Sequence, residues 1–223
     1  MFQPLTPRKW FAILGVIAVM LILPLVTQDT YLLHVLILAM IFGIFASAWN
    51  FVTGFAGIKT FGHHAFFALG AYASALIGIN IGLSPWLTIW IGGLIAAVAG
   101  LFIGLPILRI SSMPHVAIVT LGFAEIVRIT LSNLTEITRG ELGLWGIPVF
   151  ESFTLPGVGE VVFSPANKLP YYYLALVLLL LSLLVITMLM RSRTGLSLIA
   201  MRDAEYAAQS LGVNLTRQKL QVF

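Results

Sequence analysis

The sequence predicts an all-α fold: a polytopic transmembrane helix bundle with about six complete spans, the start of a seventh, and a cytosolic helix between the sixth and the seventh. Composition is the first observation, because 60% of the 223 residues are hydrophobic and 9% are charged, whereas soluble domains average about 25% charged residues. The mean hydropathy of +1.04 is the second. The third is that apolar residues form continuous runs, not the alternating pattern of a membrane β-barrel.

Six apolar runs are long enough for transmembrane helices, which need roughly 20 such residues to cross the hydrocarbon core. Arg8 and Lys9 precede the first run, as in a secretory signal, but no small-residue cleavage site follows, so we expect an uncleaved first span. Residues 1–223 are therefore expected to form a single transmembrane domain. The expected spans are 10–26, 31–52, 62–81, 85–108, 114–133 and 171–190.

The charged residues predict which ends of the spans face the cytosol. With the N-terminus in the cytoplasm, the inner segments hold most of the basic residues, and the outer segments hold Arg139 and Lys168 with most of the acidic ones. This asymmetry is the positive-inside pattern, so the net charge of +4 gives no reason to expect nucleic-acid binding. The basic residues expected inside are Arg8, Lys9, Lys59, Arg109, Arg191, Arg193, Arg202, Arg217 and Lys219; the acidic residues expected outside are Asp29, Glu136, Glu141, Glu151 and Glu160.

Small residues recur at every fourth position in three of the expected spans. Lipid gives apolar side chains no reason to prefer protein, so small residues favour helix association by letting backbones approach closely. We therefore predict tight packing of these helices. The stripes are Gly92, Ala96, Gly100 and Gly104 in the fourth span, Gly70, Ser74 and Gly78 in the third, and Ala39, Gly43 and Ser47 in the second.

The loop between the fifth and sixth spans, residues 134–170, is expected to be the one large external piece. It is rich in glycine and proline, which favour turns. Segments 149–155 and 161–163 are candidates for a short β-hairpin.

A glycine-rich stretch, residues 53–67, links the second and third spans. A phosphate-binding loop needs Gly-Lys-Thr in succession, whereas here Ile58 separates Gly57 from Lys59, so we expect any ATP hydrolysis to come from a separate chain. The glycines instead predict a broken helix, which is tolerated at membrane depth only where it is buried in protein or faces water. Gly62, His63 and His64 are therefore candidate pathway residues.

His63 and His64 are adjacent, so on a helix their side chains point about 100° apart and cannot readily share one metal ion. We expect a packing or interface role for this pair and no metal site. The chain has no cysteine, which removes thiolate ligands and cysteine nucleophiles.

Glu125 and Arg128 lie within the fifth span, where each charge costs roughly 2.5–3.5 kcal/mol on insertion scales. Their spacing lets them pair on one helix face. The residues could line a solute pathway, or they could form an ion pair, shielded inside the bundle, that fixes helix register. We favour the structural role, because buried ions need partners.

A polar segment, residues 191–219, separates the sixth span from an apolar start at Leu220. Thr194-Gly195 predicts the cap of one short helix. Asp203 predicts the cap of a second helix, with Glu205 favourably placed in its first turn. Gly212 predicts the end of that second helix.

The second short helix carries an apolar stripe that is mostly alanine. Alanine offers lipid little area and lets a protein partner approach closely. We therefore favour a protein contact over the alternative, an amphipathic helix lying on the bilayer. The stripe consists of Ala204, Ala207, Ala208 and Leu211.

Three stretches in this order resemble permease subunits of bacterial ABC importers for branched-chain amino acids, of the LivM-like type. They are GHHAFFALGAY at residues 62–72, AIVTLGFAEIVR at 117–128, and RTG followed by AMRDAEYAAQSLGVN within 193–214. The resemblance implies that residues 191–219 form the cytosolic coupling loop, which docks on an ATP-binding subunit. The residues expected to couple this chain to that subunit are Gly195, Arg202, Asp203, Glu205, Ala208 and Gly212.

The resemblance also implies the partners and the location. We expect cytosolic ATP-binding cassette subunits, a second permease subunit and an extracytoplasmic substrate-binding protein, all at the bacterial inner membrane. No cofactor is expected on this chain, since ATP would be bound by the partners, and no enzymatic activity is expected. The solute would be a branched-chain amino acid or a related small polar molecule.

Two departures from the family pattern bear on these expectations. Lys59-Thr60 and His64 stand where other residues are common, which leaves the solute open. Such permeases continue through further spans after the coupling loop, so we expect a longer parent protein. The alternatives are a channel or secondary transporter without ATP coupling and, with less support, an intramembrane enzyme: Ser47, Ser74 and Ser132 lie in no protease motif.

Overall fold

The computed structural model describes residues 7–27, 29–107, 113–155 and 159–222. Helices dominate this part of the chain, as the continuous apolar runs predict. Six of the helices within these ranges are long and apolar enough to cross a membrane. They are α1 Pro7–Val26, α2 Thr30–Asn50, α3 His63–Ile81, α4 Pro85–Ile107, α5 Met113–Asn133 and, after the short helix α6 Thr135–Thr138, α7 Leu169–Arg191.

The predicted all-α fold class is confirmed, and each predicted span coincides with one of these long helices. The second apolar run extends past α2 into a π-helical turn, Phe51–Phe55, in which the Ala56 amide bonds to the Phe51 carbonyl at 3.2 Å. Two predicted positions, Leu108 at the end of the fourth span and the inner residue Arg109, lie outside the described residues.

A short antiparallel hairpin lies between α6 and α7, where two apolar segments predict one. Its strands are β1 Phe153–Leu155 and β2 Gly159–Val161, and Thr154 pairs with Glu160. The strands are shorter than the predicted segments. The intervening residues 156–158 lie outside the described part of the chain.

The chain forms two compact units. The first, Met1–Ser47 with Ser152–Arg191, contains α1, most of α2, the hairpin and α7. Its core joins α2 to α7 through Leu33, Met40 and Leu176. The hydroxyl of Tyr172 donates to the Met20 carbonyl of α1 at 2.7 Å, which satisfies a polar group among apolar helices.

The second unit, Ala48–Glu151 with Ser192–Phe223, contains the end of α2, helices α3 to α6 and the helices that follow α7. Its α3 and α4 pack closely through small residues, as predicted. A Cβ atom added to Gly92 would lie 2.5 Å from the Gly70 carbonyl oxygen and 3.0 Å from the Ser74 Cβ. The two backbones therefore touch at a distance that only glycine allows.

Candidate functional site

The polar segment folds into three short helices, α8 Arg193–Asp203, α9 Glu205–Ser210 and α10 Leu215–Val222. Helix α8 begins after Ser192, whose hydroxyl accepts a hydrogen bond from the Gly195 amide at 3.5 Å. The predicted cap at Thr194-Gly195 is therefore wrong by about half a turn. Serine is among the best N-caps, and Ser192 has the extended backbone that the position requires.

The start of α9 also differs from the prediction, whereas its end agrees. Asp203 is the last residue of α8, and Ala204 occupies the N-cap position of α9 without a side-chain bond. The Asp203 carboxylate instead accepts from Nε of Arg202 at 2.9 Å. Gly212 has a φ of +87°, and its amide donates to the Gln209 carbonyl at 2.9 Å, which confirms the predicted helix stop.

The predicted alanine stripe of α9 does not form one surface. Ala208 is 3% exposed and packs into this chain, while Leu211 is 85% exposed and Tyr206 is 87% exposed. The stripe is divided because α9 is a single short helix whose inner face is covered by its own chain. The surface that α9 presents is therefore an aromatic and a leucine side chain beside the exposed alanines 204 and 207.

An ion pair ties α9 to α10. Nζ of Lys219 lies 2.5 Å from Oε1 of Glu205, with side-chain exposures of 16% and 33%. A pair that is mostly shielded from water is screened less than one on the surface. Glu205 thus holds the first turn of α9 to α10. The cap pattern in the sequence did not predict that Lys219 would be its partner.

Helices α8 and α10 contribute to a hydrophobic core formed with the ends of the spans. Leu198 and Met201 of α8 are 1% and 4% exposed. Their buried neighbours come from the residues after α2, from the first turn of α5 and from α10. A partly buried side chain of α4 packs against the same core. The buried members are Val52, Ala56, Ile58, Val116, Leu198, Met201 and Val222, with Phe51, Ile103 and Leu215 packed against them.

The break between α2 and α3 lies directly against α8. We call residues 54–62 the connector. Nη1 of Arg202 donates to the Gly54 carbonyl at 3.0 Å. Gly57 has a φ of +74°, and a Cβ atom there would lie 2.6 Å from Cγ of Arg202. The predicted broken helix is thus present, and the side chain that covers it comes from the polar segment.

The far end of the connector is fixed by hydrogen bonds to α2 and α5. Nε1 of Trp49 donates to the Thr60 carbonyl at 2.7 Å, and the Phe61 amide donates to Oγ1 of Thr120 at 3.1 Å. Thr60 and Thr120 are both fully buried. At Gly62 a Cβ atom would lie 3.1 Å from the Thr120 carbonyl oxygen, so α3 begins in close contact with α5.

The two histidines that follow point in different directions, as their spacing predicts. The rings of His63 and Phe66 meet edge to face, with centroids 6.2 Å apart. His64 is exposed and lines a cavity of about 180 Å³ between α3 and α5 that Arg128 also lines. Among the described residues, no three His, Asp or Glu side chains are placed to hold a metal ion.

Glu125 and Arg128 form the predicted ion pair on α5. Nε of Arg128 donates to Oε2 of Glu125 at 3.0 Å, and Nη2 donates to Oε1 at 2.5 Å. The side chains are 61% exposed for Arg128 and 51% for Glu125. The expected shielding is therefore not supplied by the described residues of this chain, because the pair lies on an outward face of α5.

A cavity of about 500 Å³ lies between α3, α4 and residues 147–150 of the loop before the hairpin. Small residues such as Gly70 and Gly93 leave the space, and Phe66 and Pro148 help to line it. Oγ of Ser74 donates to Oγ1 of Thr88 at 3.0 Å, so two polar groups of the wall satisfy each other. The sequence did not predict this cavity, since the same small residues also predict close packing.

The predicted site residues therefore fall into two places. Arg202, Asp203 and Glu205 lie on α8 and α9, which also carry the buried residues Gly195 and Ala208. Gly212 is exposed at the turn after α9. Gly62, the two histidines and the Glu125–Arg128 pair lie along α3 and α5. The residues that hold the connector were not predicted, because the main contacts join distant parts of the chain; the bond from Arg202 to Gly54 spans 148 positions. Gly54 and Gly57 contact α8, while Trp49, Thr60 and Thr120 fix the far end of the connector to α2 and α5.

Comparison with known proteins identifies the family. A sequence model described as "Branched-chain amino acid transport system / permease component" matches residues 31–223. The chain is 39% identical over 201 residues to the High-affinity branched-chain amino acid transport system permease protein LivM of Salmonella typhimurium, with 83% of this chain and 47% of that protein covered. The LivM protein of Escherichia coli matches with the same identity and coverage.

A more distant relative is the Nucleoside ABC transporter permease protein NupC of Lactococcus lactis subsp. cremoris. It is 28% identical over 194 residues, which cover 77% of this chain and 56% of that protein. No solved structure matches the chain significantly. The chain spans about half the length of the curated relatives it matches. With six apolar helices among its described residues, it is a multi-pass membrane protein that belongs to the family of permease components of branched-chain amino acid transport systems.

Proposed function

We propose that this chain forms part of the membrane-spanning pathway of an ATP-driven importer, and that α9 is the surface on which a cytosolic ATP-binding subunit docks. The observation that carries the proposal is the exposure of Tyr206 on α9 and of Leu211 directly after it, at 87% and 85%, while Ala208 between them is buried against this chain. Aromatic and leucine side chains exposed together on a rigid element favour a protein contact. The family supports the same assignment.

The mechanism follows from how α9 is held. Its first turn is tied to α10 by the Glu205–Lys219 pair, and α8 rests on the core formed by the ends of the spans. Movement of a bound subunit during its ATP cycle would therefore displace the three helices together and switch the pathway between outward and inward access. This chain provides the pathway and, in α8–α10, the helices that transmit the movement, while the partner binds and hydrolyses ATP.

The solute that we propose is a branched-chain amino acid. The two relatives at 39% identity are named for branched-chain amino acid transport, whereas the relative named for nucleosides is 28% identical. A second permease subunit and an extracytoplasmic binding protein would complete the importer. The charge asymmetry supports a topology in which the N-terminus and α8–α10 face the cytoplasm of a bacterial inner membrane.

Crosslinking from α9 tests the docking surface. The chain has no cysteine, so Tyr206→Cys and Leu211→Cys each place one thiol on the exposed face. In membranes that contain the whole importer, both should crosslink to the ATP-binding subunit. Ala208→Cys is the matched control, because its side chain is buried on the same helix and should not react.

The outcome also separates this proposal from a transporter without ATP coupling. Such a protein needs no ATP-binding subunit at α9, so the absence of crosslinks at both exposed positions, with normal uptake, would contradict the proposal. Uptake that continues after ATP depletion at a normal rate would contradict it as well. Replacement of Gly212 by a bulky residue should uncouple ATP hydrolysis from uptake, since a side chain is strained at a φ of +87°.

A further inference from the structure

We infer that Arg202 is a positioning residue that carries movement of α8–α10 into the connector, and through the connector into α5; this rests on the proposed function. Its guanidinium bonds within this chain: Nη1 donates to the Gly54 carbonyl at 3.0 Å, and Nε donates to the adjacent Asp203 at 2.9 Å, with 40% of the side chain exposed. The contact crosses from the polar segment to the break after α2. The family resemblance implies a place for Arg202 at the interface with the ATP-binding subunit, whereas its contacts within this chain give it a different role.

The contact is tight as well as polar. Gly57 lies against the aliphatic part of the Arg202 side chain, and its position leaves no room for a methyl group, because a Cβ atom would lie 2.6 Å from Cγ and 3.1 Å from Cβ of Arg202. Arg202 therefore contacts the connector by a charge-assisted hydrogen bond at Gly54 and by packing at Gly57. A displacement of α8 in either direction would push or pull the connector.

The connector is built to transmit this displacement. Its backbone leaves α2 through a π-helical turn, an irregular helix geometry that is frequent at functional sites, and Ile58 donates to the Val52 carbonyl at 3.2 Å. Ala56 and Ile58 are 1% and 2% exposed, so these two side chains anchor the connector in the core, while Gly54, Lys59 and Phe61 are exposed. Closely packed side chains transmit strain, so these buried positions would pass a displacement of α8 along the connector.

The connector delivers the displacement to α5 through Thr120. The Phe61 amide donates to Oγ1 of Thr120 at 3.1 Å, and that hydroxyl also donates within α5 to the Val116 carbonyl at 2.9 Å. Gly62 touches the same turn of α5. Helix α5 carries Glu125 about one and a half turns further on, so the path reaches the polar residues of the fifth span.

The test separates transmission from simple stability. Arg202→Met keeps an aliphatic stem against Gly57 and removes both guanidinium hydrogen bonds, Arg202→Lys keeps a charged donor, and Arg217→Ala removes another exposed arginine of the polar segment as the matched control. In the reconstituted importer, Arg202→Met should lower the maximal uptake rate about tenfold, consistent with the strength of charged hydrogen bonds. The solute concentration for half-maximal uptake should not change, and Arg202→Lys should recover part of the rate.

A reporter in the connector measures the movement directly. Phe61→Cys places a single thiol on an exposed side chain, and its rate of maleimide labelling should change when ATP is added. In the Arg202→Met background this change should disappear, while Tyr206→Cys still crosslinks to the ATP-binding subunit and the melting temperature stays within a degree or two of the parent.

Three results would overturn the inference. One is a normal ratio of solute taken up to ATP hydrolysed in Arg202→Met. A second is a labelling rate at position 61 that does not change when ATP is added to a working importer. Both results would leave the proposed function intact. A third is joint loss of uptake, crosslinking and thermal stability, which would make Arg202 a purely structural residue. Absence of the Tyr206→Cys crosslink in the parent protein would instead reject the proposed function itself, and the inference with it.

Discussion

Gly92 shows at the scale of one residue what close helix packing demands. A methyl group at this position would meet the Gly70 carbonyl oxygen at 2.5 Å, whereas one at the neighbouring Gly93 would meet nothing within 4 Å. We expect Gly92→Ala to destabilise the protein by about 1–3 kcal/mol, the usual cost of overpacking. Unfolding in mixed SDS micelles measures this loss, and Gly93→Ala is the control. Equal stability of the two variants would contradict the packing seen between α3 and α4.

The Glu125–Arg128 pair leads to a second prediction for single residues. Glu125→Gln leaves an unpaired arginine within the span, which membrane insertion disfavours, whereas Glu125→Gln with Arg128→Gln leaves no charge. We therefore expect the single variant to reduce the yield of folded protein more than the double variant does. Normal uptake by the double variant would eliminate a functional role, and lost uptake with normal folding would establish one.

Residue types alone predicted this pair but not its surroundings. The spacing of i and i+3 is enough to bring the two side chains together on any helix. The exposure of these two side chains depends on which part of the protein packs against α5, and a local sequence pattern carries no information about that. The same limit applies to Arg202: the family resemblance implied that it lies at a partner surface, while its guanidinium bonds to a residue 148 positions away.

The elements were predictable to different degrees. Six long helices follow from apolar length, because the hydrocarbon core fixes how many residues a span needs. The caps of α8 and α9 were misplaced, since Ser192, Thr194 and Asp203 are all good cap residues and tertiary contacts select among them. Helix α10 was not predicted, because its residues were divided between the end of the polar segment and the apolar start at Leu220.

The tie between α9 and α10 yields a prediction at the scale of the element. Glu205→Gln and Lys219→Met should each loosen α9, and the two changes together should cost less than their sum, with a coupling energy of about 1 kcal/mol. Hydrogen exchange of residues 205–222 measures the effect. Asp203→Asn, which alters an exposed carboxylate of the same segment, should leave this exchange almost unchanged. Additive effects of the pair would contradict the ion pair.

The topology is a prediction for the whole molecule. Ser152→Cys and Ser210→Cys lie at exposed positions that the charge pattern assigns to opposite sides of the membrane. In intact cells, a membrane-impermeant maleimide should label position 152 at once and position 210 only after permeabilisation. The reverse pattern would place α9 outside the cell and remove the basis for docking an ATP-binding subunit there.

The hydrogen bond between Trp49 and Thr60 gives the molecule an optical probe of its own connector. The indole N–H lies 2.7 Å from the carbonyl, and indole emission shifts with the polarity and bonding of this group. The chain has five tryptophans, so replacing the other four by phenylalanine would leave Trp49 as the sole emitter. Its fluorescence could then follow the connector in real time as ATP is turned over, with no label attached.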